Sequence, residues 1–110
     1  MLQKVFVRAF AEASATDAAE LAERLRQCLE SIPAHVGVTK IKPYWKIDGY
    51  QEICLDVHIF GNGLQGFSAT IEQLGTGWIH SRPGEAVWNH GESTTFIEPS
   101  VRWAHVEILE

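Results

Sequence analysis

Alternating apolar and polar positions over residues 38–60 predict two β-strands that fold back at Asp48-Gly49. Asp-Gly between two β-prone runs favours a tight turn, because glycine readily adopts the positive φ that the turn needs. In the second arm every other residue is apolar, so one face of that strand is expected to face the core. The members of this face are Ile53, Leu55, Val57 and Ile59. The pattern therefore predicts a hairpin with one buried face and one charged face.

Burial also predicts the register of this hairpin. A two-residue loop would place Lys40 and Lys42 on the core face, at a desolvation cost of several kcal/mol each. A three-residue loop at residues 47–49 shifts the pairing by one residue and places Ile41 opposite Leu55. Both lysines then reach the solvent side, so the three-residue loop is the predicted one.

A strand and a helix precede the hairpin. Residues 2–11 are apolar on both faces of a predicted strand, which is typical of a central position in a sheet. Ser14 or Thr16 can cap the helix that follows, and apolar residues then recur at helical spacing. This stripe consists of Ala18, Leu21, Ala22, Leu25, Cys28, Leu29 and Ile32. Pro33 predicts the end of this amphipathic helix near Ser31.

A second helix and further strands follow the hairpin. Asn62 can cap this helix and Gly75 can end it. Its apolar stripe consists of Leu64, Phe67, Ile71 and Leu74. The remaining extended segments are residues 78–80, 85–91 and 101–109, with a turn at residues 82–84.

The order of these elements predicts an α+β fold with a ferredoxin-like βαββα core and an extra C-terminal β-hairpin. The sheet would be mostly antiparallel, with two helices on one face. A length of 110 residues and a hydrophobic content of 45% suit one domain, residues 1–110.

Charge and hydropathy narrow the partners and the compartment. The formal net charge of −5 argues against direct binding of nucleic acid, which needs clustered Lys and Arg, and favours a basic protein partner. No apolar run approaches the roughly 18 residues that span a bilayer, so no membrane contact is expected. The first residues lack the apolar core of a signal peptide, which predicts a cytoplasmic protein. Cys28 and Cys54 are predicted to be free thiols.

The sequence predicts neither a catalytic site nor a cofactor. The five histidines are scattered without metal-ligand spacing, so no metal is expected. Cys54 and His58 would lie roughly 13 Å apart on one strand, too far for a thiolate pair. Glu52 and Asp56 face Lys40 and Lys42 and are predicted to form cross-strand ion pairs rather than an acid/base dyad.

The C-terminal third of the chain is rich in tryptophan and glutamate. Residues 78–110 hold three Trp, five Glu and two Arg. Tryptophan commonly anchors interfaces, and a carboxylate rim matches a basic partner. Trp88, beside a loop, is the predicted exposed anchor. The candidate partner-binding residues are Glu85, Trp88, Asn89, Glu92, Glu98 and Glu107.

With the acidic charge, the element order and the ending EAVWNHG … PSVRWAHVEI, the chain resembles immunity proteins of bacterial contact-dependent growth inhibition and related polymorphic-toxin systems. The resemblance implies a cytoplasmic, non-enzymatic protein that binds a cognate toxin, often a nuclease, and blocks its active site. Acidic side chains would then imitate phosphate in the basic cleft of the toxin.

Two other interpretations stay open. The chain could be a small ferredoxin-like enzyme or ligand-binding domain, monooxygenase-like or isomerase-like, with aromatic residues lining a pocket between sheet and helices. Those residues would be Phe6, Phe10, Tyr44 and Trp103. A homodimer formed through a sheet edge is compatible with either function.

Overall fold

One six-stranded antiparallel sheet and two helices make up the fold in the computed structural model, which describes residues 2–31 and 34–109. The strands are β1 (Leu2–Glu12), β2 (Ala34–Pro43), β3 (Tyr50–Phe60), β4 (Gly75–Thr76), β5 (Ile79–Arg82), β6 (Glu85–Asn89), β7 (Thr95–Phe96) and β8 (Val101–Leu109), and the helices are α1 (Ala15–Leu29) and α2 (Gly63–Leu74). The sheet order is β2-β3-β1-β8-β6-β5, and β4 pairs separately with β7. The predicted α+β class is confirmed. The predicted helix stop at Pro33, together with Ile32 and Glu110, lies outside the described residues.

Helix α1 begins and packs as its sequence pattern predicts. The Ser14 hydroxyl accepts a hydrogen bond from the backbone N–H of Asp17 at 3.1 Å, which satisfies one free donor of the first turn. The buried face of α1 consists of Ala18, Leu21, Ala22, Leu25 and Leu29. Within residues 2–31 and 34–109, no helix is both long enough and apolar enough to cross a membrane.

Helix α2 has the predicted cap but a different buried face. The Asn62 side chain accepts hydrogen bonds from Leu64 N at 2.9 Å and Gln65 N at 3.2 Å. Leu64, predicted in the apolar stripe, is 53% exposed, whereas Gly63 and Gly66 are buried. A Cβ at Gly66 would lie 2.6 Å from Ile59, so glycine permits the close approach of this helix to the sheet.

Strand β1 is central, between β3 and β8, as predicted. Its residues Val5, Val7 and Ala9 are completely buried under the helices. The alternate residues Phe6, Arg8 and Phe10 are half-buried on the other side of the sheet. Helices α1 and α2 pack on the same side, so neither of them covers the second apolar face of β1.

The predicted register of the β2–β3 hairpin is wrong. Ile41 pairs with Ile53 rather than Leu55, and residues 44–49 form a loop twice as long as predicted. The pairing shifts between Val38 and Lys40, which marks a β-bulge at Thr39. The bulge turns Lys40 and Lys42 away from the core. Burial of lysine is thus avoided as expected, but by a bulge rather than by the turn.

The positive φ of Gly49 leads to a testable prediction about backbone strain in this turn. Gly49 has φ of 83° and a Cβ there would meet nothing within 4 Å, so Gly49→Ala strains the backbone alone. We expect the free energy of unfolding to fall by about 1–2 kcal/mol, measured by urea denaturation. Gly37→Ala, also free of contacts within 4 Å and without positive φ, is the control and should cost less. Equal losses in the two variants would contradict this account.

Candidate functional site on the open face of the sheet

The side of the sheet opposite the helices, here called the open face, carries three rows of paired side chains across β6, β8, β1 and β3. Alternation along each strand places them there, because their neighbours in sequence fill the core. The first row is Glu85, Glu107, Phe6 and Asp56; the second is Val87, His105, Arg8 and Cys54; the third is Asn89, Trp103, Phe10 and Glu52. Apolar, aromatic and charged groups are therefore mixed on one surface.

An aromatic row crosses the open face. The ring centroids of Tyr44 and Phe10 lie 4.4 Å apart, and those of Phe10 and Trp103 lie 5.1 Å apart. His105 stacks on Trp103 with an interplanar angle of 9° and a centroid distance of 6.2 Å. All four side chains are half-buried. Trp45, which follows Tyr44 in the loop of residues 44–49, is 79% exposed.

A buried carboxylate lies beside this row. Glu52 is only 5% exposed and lies between two cations: Arg8 Nε at 2.9 Å and Lys42 Nζ at 3.6 Å. The Arg8 Nε–H does not point along the line to the carboxylate, so the contact is an ion pair. Within residues 2–31 and 34–109, the buried Nε has no hydrogen-bond acceptor. Cys54 donates a long hydrogen bond to Glu52 at 3.8 Å. Burial, and then the Glu52 charge, raise the pKa of the Cys54 thiol, which disfavours a nucleophilic thiolate.

A second polar group, here called the Glu85 cluster, comprises Ser81, Arg82, Glu85, His105 and Glu107. Ser81 Oγ donates to Glu85 Oε1 at 2.6 Å, and His105 Nε2 donates to Glu85 Oε2 at 3.1 Å. Arg82 approaches both carboxylates, with Nε 3.5 Å from Glu85 Oε1 and Nη2 3.7 Å from Glu107 Oε2. The hydrogen bond from Ser81, followed by that from His105, lowers the pKa of Glu85 to about 2. Glu85 is therefore ionised at neutral pH.

No match was found. Comparison with protein-family models, with curated proteins and with solved structures gives no similar protein.

The structure brings together three of the six predicted partner-binding residues. Glu85, Asn89 and Glu107 lie on the open face, Asn89 directly opposite Trp103. Glu98 lies apart from them and pairs with Arg24 of α1, whose Nε is 2.6 Å from Glu98 Oε1. Glu92 is exposed in the loop between β6 and β7.

Trp88 was predicted to be exposed, and this prediction is wrong. Its side chain is 2% exposed and lies on the helix side of β6. Trp88 Nε1 donates to Thr76 O at 2.9 Å, and its ring packs on Phe96 with centroids 4.8 Å apart. The short strand β7, which follows β6 in the chain, brings Phe96 against the tryptophan. Trp88 therefore belongs to the core.

Trp45 is the exposed tryptophan that the sequence interpretation missed. The three-residue loop predicted at residues 47–49 does not include Trp45. Ile41 and Ile47 nearby are also exposed, at 40% and 48%. The signal in the sequence was Pro43 followed by two aromatic residues, because proline cannot donate to the ladder and so favours the end of a strand.

A cleft of about 810 Å³ opens at one end of the open face. It lies between the start of α2 and the β5–β6 turn, and Arg82 and Glu107 are the charged residues in its wall. The four aromatic residues predicted to line a pocket between sheet and helices do not line it. Phe6, Phe10 and Trp103 lie on the open face instead, and Tyr44 packs against Phe10.

Proposed function

We propose that this protein is an immunity protein that binds a cognate toxin, and that the open face is its toxin-binding surface. The observation that carries the proposal is the aromatic row from Tyr44 to His105, which neither α1 nor α2 covers. Half-buried aromatic rings fixed on strands lose little conformational entropy on binding, and such rings dominate the energy of protein interfaces. Trp45, the exposed neighbour of Tyr44 in the loop of residues 44–49, is the proposed anchor that enters a pocket on the partner.

The topology supports a ferredoxin-like core within this proposal. The four long strands occur in the order β2-β3-β1-β8, with α1 and α2 on one side. We propose that the β5–β6 hairpin is an addition that widens the open face beyond β8. The cytoplasmic location and the absence of enzymatic activity belong to the same proposal.

A nuclease is the proposed toxin, on the basis of long-range charge. The net charge of −5 would steer the protein towards a basic surface and speed association at low ionic strength. At short range, three of the carboxylates expected to contact the basic cleft of the toxin already have cationic partners within this chain. Glu85 and Glu107 contact Arg82, and Glu98 contacts Arg24. We therefore assign the larger share of the binding energy to the aromatic row.

A homodimer through a sheet edge has less support. The long edge strand β2 carries Lys40, Lys42 and Pro43 beside the bulge at Thr39. Exposed lysine, proline and bulges are the features by which natural edge strands avoid pairing.

We expect the adjacent upstream gene to encode a secreted protein with a C-terminal toxin domain, and the test is protection from that toxin. The toxin domain is expressed under an inducible promoter with wild-type protein, Phe10→Ala or Trp103→Ala, and bacterial growth and dissociation constants are measured. Each variant should weaken binding about tenfold or more, the scale of interface hot spots. Ile97→Ala, an exposed apolar residue away from the open face, is the control. Full protection and unchanged affinity in both open-face variants would reject the proposed surface.

A ligand-binding function is the second candidate, favoured by the cleft beside Arg82 and Glu107. Its volume falls within the range of small-molecule sites, which is roughly 300–1,000 Å³. Native mass spectrometry of the protein purified from its own host distinguishes the two functions. A stoichiometric small molecule that Arg82→Ala releases would favour the ligand-binding domain.

A further inference from the structure

Glu85 and Glu107 are directly opposite each other on neighbouring strands. Two like charges in this position destabilise a sheet unless a cation lies between them. The next row places His105 beside them, with Nε2 directed at Glu85. Two carboxylates and an imidazole from two paired strands therefore lie close together. A cation between them would offset the repulsion of the two carboxylates.

We propose that Glu85, His105 and Glu107 form a divalent metal site that prefers Zn²⁺. One oxygen of each carboxylate and one ring nitrogen lie within 4.8 Å of one another. Ligands of one zinc ion, each about 2.0–2.2 Å from the metal, lie about 3.3–3.5 Å apart, so small side-chain rotations suffice. The nitrogen donor favours zinc over Mg²⁺ and Ca²⁺, which prefer oxygen ligands alone.

The surroundings of the three donors suit a metal site. The hydrogen bond from Ser81 holds the Glu85 carboxylate and leaves its other oxygen directed at the imidazole. Groups of this kind around a metal fix its ligands in position. The open cleft reaches the cluster at Glu107 and gives water access to the remaining coordination positions. Zinc would bind His105 Nε2 in the position of the proton that this nitrogen donates to Glu85, and the neutral imidazole would then carry its proton on Nδ1.

Arg82 is the competing cation in this site. Its guanidinium bridges the two carboxylates at 3.5 and 3.7 Å, beyond ordinary hydrogen-bond length, and its side chain is 61% exposed. It can therefore swing into solvent when a metal binds. Removal of Arg82 should then strengthen zinc binding, whereas it would weaken a site in which arginine is a necessary support.

The experiment is calorimetric titration of the full chain with Zn²⁺ alone. His105→Ala and Glu107→Gln should each weaken binding about tenfold or more, and Arg82→Ala should tighten it about tenfold. His58→Ala is the control, because His35 and His58 form a separate pair with ring centroids 6.3 Å apart. Circular dichroism verifies that each variant is folded.

Three results would overturn the proposal: no zinc binding by the wild type, unchanged affinity in His105→Ala, or loss of binding in His58→Ala alone. Weaker binding in Arg82→Ala would show that the guanidinium supports the cluster and would also reject the proposed competition. Tighter binding of Mg²⁺ than of Zn²⁺ would reject the assigned metal. The zinc proposal does not depend on toxin binding. Failure of zinc binding would leave the toxin proposal standing, and failure of toxin binding would leave the zinc proposal standing.

Discussion

Replacing Trp88 with alanine should lower the free energy of unfolding by about 3–5 kcal/mol, the range for large aromatic residues in a core. The indole is almost completely buried, packs on Phe96 and donates its N–H to Thr76 O. The variant loses the transfer energy of the ring, leaves a cavity and leaves a carbonyl without its donor. Urea denaturation followed by far-ultraviolet circular dichroism measures the loss.

Trp45→Ala is the matched control, because the residue type is the same and the side chain is 79% exposed. We expect a change within about 0.5 kcal/mol, as for most surface substitutions. The pair also tests the assignment of roles, since Trp45→Ala should affect partner binding and leave stability intact. A loss below about 1 kcal/mol in Trp88→Ala would contradict the buried placement of this tryptophan.

The local elements could be predicted because each depends on near neighbours in sequence. Ser14 and Asn62 cap their helices through atoms two or three residues away, and strand β8 has the predicted bounds. The α+β class follows from the order of these elements. Such features are encoded within a few residues of chain, so hydrophobic period and capping chemistry suffice to find them.

The exposure of the tryptophans could not be predicted in the same way. Trp88 alternates correctly for a strand, but which face is buried depends on α2 and on Phe96 from the following loop. Trp45 is exposed because the bulge at Thr39 and the long loop change the path of the hairpin. Both outcomes depend on contacts between segments distant in sequence. The alternation of apolar and polar residues along one strand does not reveal such contacts.

The Glu85 cluster was missed for a related reason. Metal-ligand spacing within one segment does not reveal this cluster, because Glu85 and His105 are 20 residues apart and come from two strands. Their proximity is set by the β6–β8 register, in which Glu85 pairs with Glu107 and Val87 with His105. The acidic composition of the C-terminal third made Glu85 and Glu107 candidates. It did not indicate His105 and Arg82, which contact these carboxylates.

The buried carboxylate Glu52 gives the second large prediction. Arg8→Met keeps an aliphatic side chain of similar length and removes the nearer of the two cations around Glu52. A buried charge that loses a partner costs about 3–5 kcal/mol, and the remaining Lys42 at 3.6 Å should reduce the loss here to about 2–3 kcal/mol. Thermal and urea unfolding of the two proteins at neutral pH measure the difference.

Lys4→Met is the control for this variant, because Lys4 lies on the same strand and face and pairs with Asp56 at 3.6 Å. Both of these groups are more exposed to water than the Glu52 carboxylate, so the loss should stay below about 1 kcal/mol. The double variant Arg8→Met/Glu52→Met removes the buried charge as well and should recover most of the stability lost in Arg8→Met. If Arg8→Met cost no more than Lys4→Met, the Glu52 carboxylate would be sufficiently solvated or neutralised without Arg8. The ion pair between Arg8 and Glu52 would then not stabilise the fold, and Arg8 would contribute only packing to the open face.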